Sequence, residues 1–270
     1  MPGRGAVRAL ALRGRRARVL NPERWPDHFS GAAARYARYR PSYPAALFDL
    51  FGELAPRREI AWDCATGNGQ AAAHLASRFR RVLATDASAR QLARAASAPG
   101  LRYAVALAEA APLPAASIDL VTVAQAAHWL RLDRFFGEAR RVLRPKGVVA
   151  LWAYALCTVA RPVDRVLRRF YLETVGAYWP PERALVESLY RDLPFPFEEI
   201  PCPPQHMEHE WTREELVGYA STWSAVKRYR EDRGEDPVDT LLSPKLRALW
   251  PDGVRALVRW PIGLRLGRVS

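Results

Sequence analysis

Five short apolar runs, separated by stretches of helical period, organise the chain between residues 60 and 154. The runs cover 60–63, 82–86, 101–107, 118–124 and 148–154. Helix-period segments fall between them at 70–78, from Ser88 onward, and at 132–143. Runs apolar on both faces are what buried parallel strands require, and an intervening helix supplies the crossover between them. The pattern predicts an α/β fold with a doubly wound, mostly parallel sheet and helices on both faces. Ahead of the sheet, Ser30 is a candidate N-cap for a short helix that must stop before Pro41, and 45–54 reads as a second helix. The tetrapeptide Arg144-Pro145-Lys146-Gly147 reads as a turn.

Beyond Cys157 the pattern loosens. Residues 163–177 and 181–193 read as helical, and Pro194, Pro196, Pro201, Pro203 and Pro204 break the next stretch. Thr212 with Glu215 forms a capping box at the head of a helix over 212–223, and 238–250 is helical again. Residues 257–269 are strand-like, with Pro261 arguing for an edge or a bulge. We expect a basic, disordered extension over 1–27 and one domain over 28–270. Its cofactor-binding core spans 28–155, with a helical cap and the last strands over 156–270.

The first run carries the chemistry. It ends in an acid and a small-residue loop, Asp63-Cys64-Ala65-Thr66-Gly67-Asn68-Gly69-Gln70, which opens a helix. This is the first unit of a nucleotide-binding sheet. Gly67-x-Gly69-x-x-Ala72 also fits the looser dinucleotide fingerprint, and Asp86, ending the second run, can accept from ribose hydroxyls. Asp63 separates the two ligands. A carboxylate at the strand end opposes a pyrophosphate at the helix N-terminus, whereas S-adenosylmethionine is cationic at its sulfonium and its ammonium and carries no phosphate. The methyl donor is therefore the expected cofactor, and an NAD-dependent oxidoreductase is the third reading.

Composition narrows the partners. The chain has 270 residues, 49% of them hydrophobic, and a net charge of +13. Only Lys146, Lys227 and Lys245 are lysines, and Arg4, Arg8, Arg13, Arg15, Arg16, Arg18 and Arg24 crowd the extreme N-terminus. The charge so distributed argues for a basic tail more than for a nucleic-acid surface, although an RNA-directed methyltransferase or a nucleic-acid-binding protein stays open as the alternative. No apolar stretch is long enough for a membrane span, and three scattered cysteines fit the reducing cytoplasm. His206 and His209 have metal-like spacing, but alternation with Glu208 and Glu210 reads as the wet face of a strand, so no metal is expected.

The chain resembles class I S-adenosylmethionine-dependent methyltransferases of the type 11 group, in particular the trans-aconitate methyltransferase-like branch. The resemblance lies in the loop from Asp63 to Gln70 and in Thr85-Asp86-Ala87-Ser88 with Gln91. It continues through Asp119-Leu120-Val121-Thr122-Val123-Ala124-Gln125-Ala126-Ala127-His128-Trp129, Arg141-Val142-Leu143-Arg144-Pro145-Lys146-Gly147 and Thr222-Trp223-Ser224-Ala225-Val226. Tyr36 with Arg40-Pro41-Ser42-Tyr43-Pro44 also matches. It implies a Rossmann-like, seven-stranded sheet with the last strand antiparallel. Asp63, Ala65, Thr66, Gly67, Gly69 and Gln70 would cradle the methionine part. Asp86, Ala87 and Gln91 would hold the ribose, with Ala108, Glu109 and Gln125 completing the cofactor site. Ala65 replaces the usual first glycine, and its methyl is expected to be tolerated if the residue keeps negative φ. Leu107 replaces an acid that reads adenine, leaving adenine to backbone near Ala108 and Glu109.

A small-molecule acceptor, a carboxylate among the options, is expected past the ends of the fourth and fifth runs. His128, Trp129, Trp152 and Tyr154 would line it, with Tyr36, Tyr39 and Arg40 folding over as a lid. A carboxylate needs no base; for another acceptor His128 is the candidate general base.

Overall fold

The computed structural model describes residues 39–269. The basic extension, Tyr36 and most of the helix expected before Pro41 lie outside the described residues. Five strands, β1 (Ile60–Cys64), β2 (Arg81–Asp86), β3 (Leu101–Val105), β4 (Ile118–Ala124) and β5 (Leu143–Tyr154), run parallel in the order β3-β2-β1-β4-β5. Two short strands, β6 (Glu198–Glu199) and β7 (Gln205–Trp211), and a long final strand, β8 (Ala256–Arg268), complete an eight-stranded sheet. β8 is antiparallel to β5, β6 and β7. This is a Rossmann-like mixed sheet with the final strand reversed. Pro201, Pro203 and Pro204 fall between β6 and β7, where their missing N–H groups interrupt any continuous ladder.

Helices cover both faces. On one side α1 (Ala45–Leu54) and α2 (Gln70–Ala76) press Leu47, Phe48 and Leu75 onto Trp152 and Tyr154 of β5. A short α3 (Ala89–Leu92) follows β2, with the Ser88 side chain as its cap. On the other side α4 (Leu132–Val142) packs Phe135, Phe136 and Ala139 against Trp62, Val121 and Val149. Buried Asp119 ties the strand starts together. It accepts from the Glu59 and Ile60 N–H groups and from the Arg144 guanidinium at 2.8 Å.

Three expectations change. The turn at 144–147 lies inside β5 as an irregularity in the β4–β5 register, with Lys146 at φ 63. Pro261 does not mark an edge, because β8 is paired on both sides. The β5 ladder ends at Tyr154–Ile262, just before the proline's missing N–H would be needed. The long helices expected in the cap are broken into short pieces. α5 (Arg161–Arg169) passes into a π-helical turn at Phe170–Thr174 and a 3₁₀ turn at Gly176–Tyr178, and α6 is only Arg183–Glu187. The capping box heads α7 (Arg213–Ala220) as expected. It is followed by α8 (Ser224–Arg233), which Gly234 ends at φ 72, and by α9 (Ser243–Arg247). No helix among the described residues is long and apolar enough to cross a membrane.

Candidate active site

Strand order reverses between β1 and β4, and ligands bind outside the carboxyl ends of strands at such a point. The β1 end is built around Asp63, which is wholly buried. Thr66 and Thr122 hydroxyls donate to its two oxygens, the latter at 2.7 Å, and the Ala72 N–H near the start of α2 also faces it. Burial pushes its pKa up to about 6, and the Asp86 charge adds to the rise. The sequence alone places this carboxylate directly against the ligand. The structure puts it one layer lower, beneath the loop, because three donors from α2, the loop and β4 converge there. In that position it uses a helix-terminal donor that a pyrophosphate would need.

Above Asp63, Ala65 has φ 52, so the condition of negative φ is not met. A methyl in the left-handed region costs roughly 1–2 kcal/mol. Ala65→Gly is expected to stabilise the protein by about 0.5–1 kcal/mol, the strain relief less the extra freedom of the unfolded chain. A thermal melt checks this. Gly67 and Gly69 also take positive φ, but their surroundings differ. A Cβ at Gly67 would meet nothing within 4 Å, so the backbone there is open to a ligand. One at Gly69 would collide with the Tyr103 hydroxyl, so that glycine serves packing. The Gly67 N–H donates to Asp86 at 2.8 Å, and Ser88 N–H donates to the other Asp86 oxygen, also at 2.8 Å. Ala87 is exposed beside it and Gln91 donates its N–H to Ser88. The Gln70 amide reaches back to the Pro41 carbonyl at 3.2 Å. Ala108 is buried, while Glu109 accepts from the Arg131 N–H at the head of α4.

Gln125 sits at the end of β4 with φ 52. Its amide donates to the Tyr154 carbonyl at 3.2 Å and accepts from the Tyr154 N–H at 2.7 Å, clamping β4 to β5. Beyond it opens a small cleft, partly open to solvent. Its sheet side carries Gln125, His128 and Trp129. The cap contributes Trp179, Arg183, Tyr219 and Trp223, and Arg40 enters from the N-terminal side.

Arg40 is anchored there. It donates to the Tyr154 hydroxyl at 2.8 Å and lies over the Tyr219 ring. The Arg183 guanidinium lies 4.6 Å from the Trp179 ring centroid and donates through Nε to the Tyr171 hydroxyl at 2.7 Å. Among the described residues Arg183 has no carboxylate partner. His128 Nδ1 lies 2.9 Å from the Tyr190 hydroxyl. Burial, with Arg183 nearby, lowers its pKa to about 3. Such an imidazole is neutral and a poor proton acceptor at neutral pH, which argues against the expected general-base role in the ligand-free protein.

Other expected acceptor residues are redistributed. Trp152 is fully buried between α1 and the sheet, a core residue instead of a cleft wall. Tyr154 is also buried, and holds Arg40 instead of touching the cleft itself. Tyr39 packs on Gly218 of α7 and does not line this cleft. Trp179, Arg183, Tyr190 and Tyr219 carry no sequence signal as site residues. They come from short cap helices and turns whose positions depend on tertiary packing.

Comparison with known proteins agrees with this geometry. Residues 62–151 match the family model described as a methyltransferase domain. A Dictyostelium discoideum protein named as a methyltransferase is 31% identical over 234 residues, covering 85% of this chain and 89% of its own. The chain belongs to the class I S-adenosylmethionine-dependent methyltransferases. The solved structure of a type II methyltransferase from Anaeromyxobacter dehalogenans shares 47% identity with it at a TM-score of 0.80, covering 85% of this methyltransferase and 98% of that chain. The malonyl-[acyl-carrier protein] O-methyltransferase of Methylovorus is 37% identical over 108 residues, 36% of either chain.

The residues of this methyltransferase fit its family's donor. The open backbone at Gly67 and the Asp86 carboxylate at the β2 end offer a cradle and a ribose acceptor. Asp63 beneath the loop favours a cation and opposes a pyrophosphate.

Proposed function

We propose that this methyltransferase esterifies a small, flat, apolar carboxylic acid. The observation that carries the reading is the pair of arginines, Arg40 and Arg183, facing a cleft walled by Trp129, Trp179 and Trp223. Guanidinium groups bind carboxylates through two parallel hydrogen bonds, and the aromatic walls suit a flat apolar body. This acceptor class agrees with the resemblance to the trans-aconitate methyltransferase-like branch, and the Methylovorus relative is by its name an O-methyltransferase. Nucleic acid is not proposed as a partner. The thiols of Cys64, Cys157 and Cys202 are all free, which suits a reducing cytoplasm.

S-adenosylmethionine, when bound, supplies a methyl group on a cationic sulfur that is displaced in line. The chain's own residues supply alignment and exclusion of water, and alignment can lower a barrier by roughly 7–11 kcal/mol. Asp86 would accept from the ribose hydroxyls, and the Gly67 backbone would lie against the methionine part. Gln125, locked to Tyr154, keeps the β4 and β5 ends at fixed separation between the donor and acceptor sides. Arg40 and Arg183 would hold the carboxylate. Being ionised already, it needs no proton removed, consistent with a cleft whose histidine is a poor proton acceptor in the ligand-free protein.

The test is incubation of the full chain with S-adenosylmethionine and a panel of aromatic and aliphatic carboxylic acids. Alkali-labile methyl esters are expected. Methylated amines or methylated RNA as the product would refute the reading.

A further inference from the structure

We propose that Tyr190 is a positioning residue that holds His128 as the Nε2–H tautomer, so that the ring offers the acceptor a hydrogen-bond donor. This rests on the cleft being the acceptor site. The hydroxyl of Tyr190 is the only side-chain partner of His128 Nδ1 among the described residues. Which atom carries the proton depends on the other groups around that hydroxyl. Tyr190 is wholly buried, and no acceptor other than Nδ1 is within hydrogen-bond reach of its hydroxyl among the described residues, so a buried O–H left undonated would be costly. Its one proton is therefore directed to Nδ1, which must be the bare nitrogen, and a neutral ring then carries its proton on Nε2. Nε2 makes no hydrogen bond within the described residues, while the ring lines the cleft.

The fold maintains this contact against local strain. Leu189 and Tyr190 both have positive φ, at 53° and 60°, which is rare for bulky side chains. Arg265 of β8 clamps the segment by donating to the Tyr190 carbonyl at 2.9 Å and to the Leu193 carbonyl at 3.0 Å. Gly263 of the same strand leaves room for the Leu189 carbonyl, which any Cβ there would strike. Strained backbone of this kind persists where its surroundings over-determine it, commonly at functional sites. Here its result is a fully buried tyrosine whose hydroxyl reaches a cleft histidine.

Two readouts on the full chain test the inference. Nitrogen-15 spectra of the imidazole groups, with His128 assigned by its loss in His128→Gln, should show a protonated Nε2 and a bare Nδ1. In Tyr190→Phe the pattern should shift toward the other tautomer. An Nδ1–H form in the wild type, or an unchanged pattern in Tyr190→Phe, would overturn the proposal. In kinetics, Tyr190→Phe should lower kcat/KM for the acceptor about tenfold while leaving S-adenosylmethionine affinity unchanged. Glutamine at 128 offers an N–H near the Nε2 position without help from Tyr190. In that background Tyr190→Phe should therefore cost less than about twofold. Equal losses in both backgrounds would show a merely structural role. A wrong acceptor class would leave the spectra intact and appear only in the product assay.

Discussion

Arg183→Ala is expected to raise KM for a carboxylate acceptor about 30- to 100-fold while leaving S-adenosylmethionine affinity unchanged. The guanidinium is pre-placed: Trp179 supports one face and the Tyr171 hydroxyl fixes Nε. No carboxylate among the described residues pairs with it directly; Glu187 reaches it only through the Tyr171 hydroxyl. A charge-assisted, bidentate contact in a partly dehydrated cleft is worth about 2–3 kcal/mol, which sets the size of the loss. Arg183→Lys should recover only part of it, because a point charge neither spreads over an indole nor forks onto two oxygens. Steady-state kinetics with varied acceptor and, separately, varied donor decide the matter. A KM unchanged in Arg183→Ala would remove this residue from the site.

Asp63→Asn is expected to stabilise the ligand-free protein at pH 7 and to weaken binding of the cationic donor. Both effects come from one buried charge. The folded-state pKa of Asp63, about 6, lies above its ordinary value of 3.8. Between those values the folded state holds the proton that the unfolded state has lost. The contribution of this group to stability is thus fully present below pH 3.8 and is lost as pH rises through 6. At pH 7 the ionised group costs on the order of 3 kcal/mol. Asparagine avoids this cost, so its melting temperature should exceed the wild type's by about 5 °C at pH 7. The gap should close as pH falls from 6 toward 4. The donor should show the opposite preference. A unit charge about 6–8 Å away at an effective dielectric near 20 is worth roughly 2–3 kcal/mol, so affinity should fall about 30- to 100-fold in the variant. In the wild type, affinity should decline below pH 6. Thermal melts and calorimetric titrations across that range test both halves, and a melting difference independent of pH would contradict the role given to this charge.

The parallel core is legible in the sequence because buried strands must be apolar on both faces. β4 matches the apolar run at 118–124 residue for residue. The acid-loop-helix unit at Asp63 and the acid at Asp86 are equally plain. Depth is not. Nothing local shows that Thr122, far along the chain, donates to Asp63 and takes it out of the cleft. Trp152 reads as a cleft wall because it lies near a strand end, but the alternation along β5 turns it to α1. The cap is hardest. Arg183 and Tyr190 sit among broken helices where period carries little signal, and their function depends on Trp179, His128 and Arg265, which only the tertiary fold brings near.

A crystal structure with S-adenosylhomocysteine and an aromatic carboxylate tests most directly the division of charge in this enzyme, an acid under the donor and arginines around the acceptor. We expect the amino-acid end of the nucleoside over the Asp63 loop and the carboxylate forked by Arg183, with one oxygen turned toward the sulfur. A carboxylate that settles away from Arg40 and Arg183, or a nucleoside lying outside the Gly67 loop, would contradict that division.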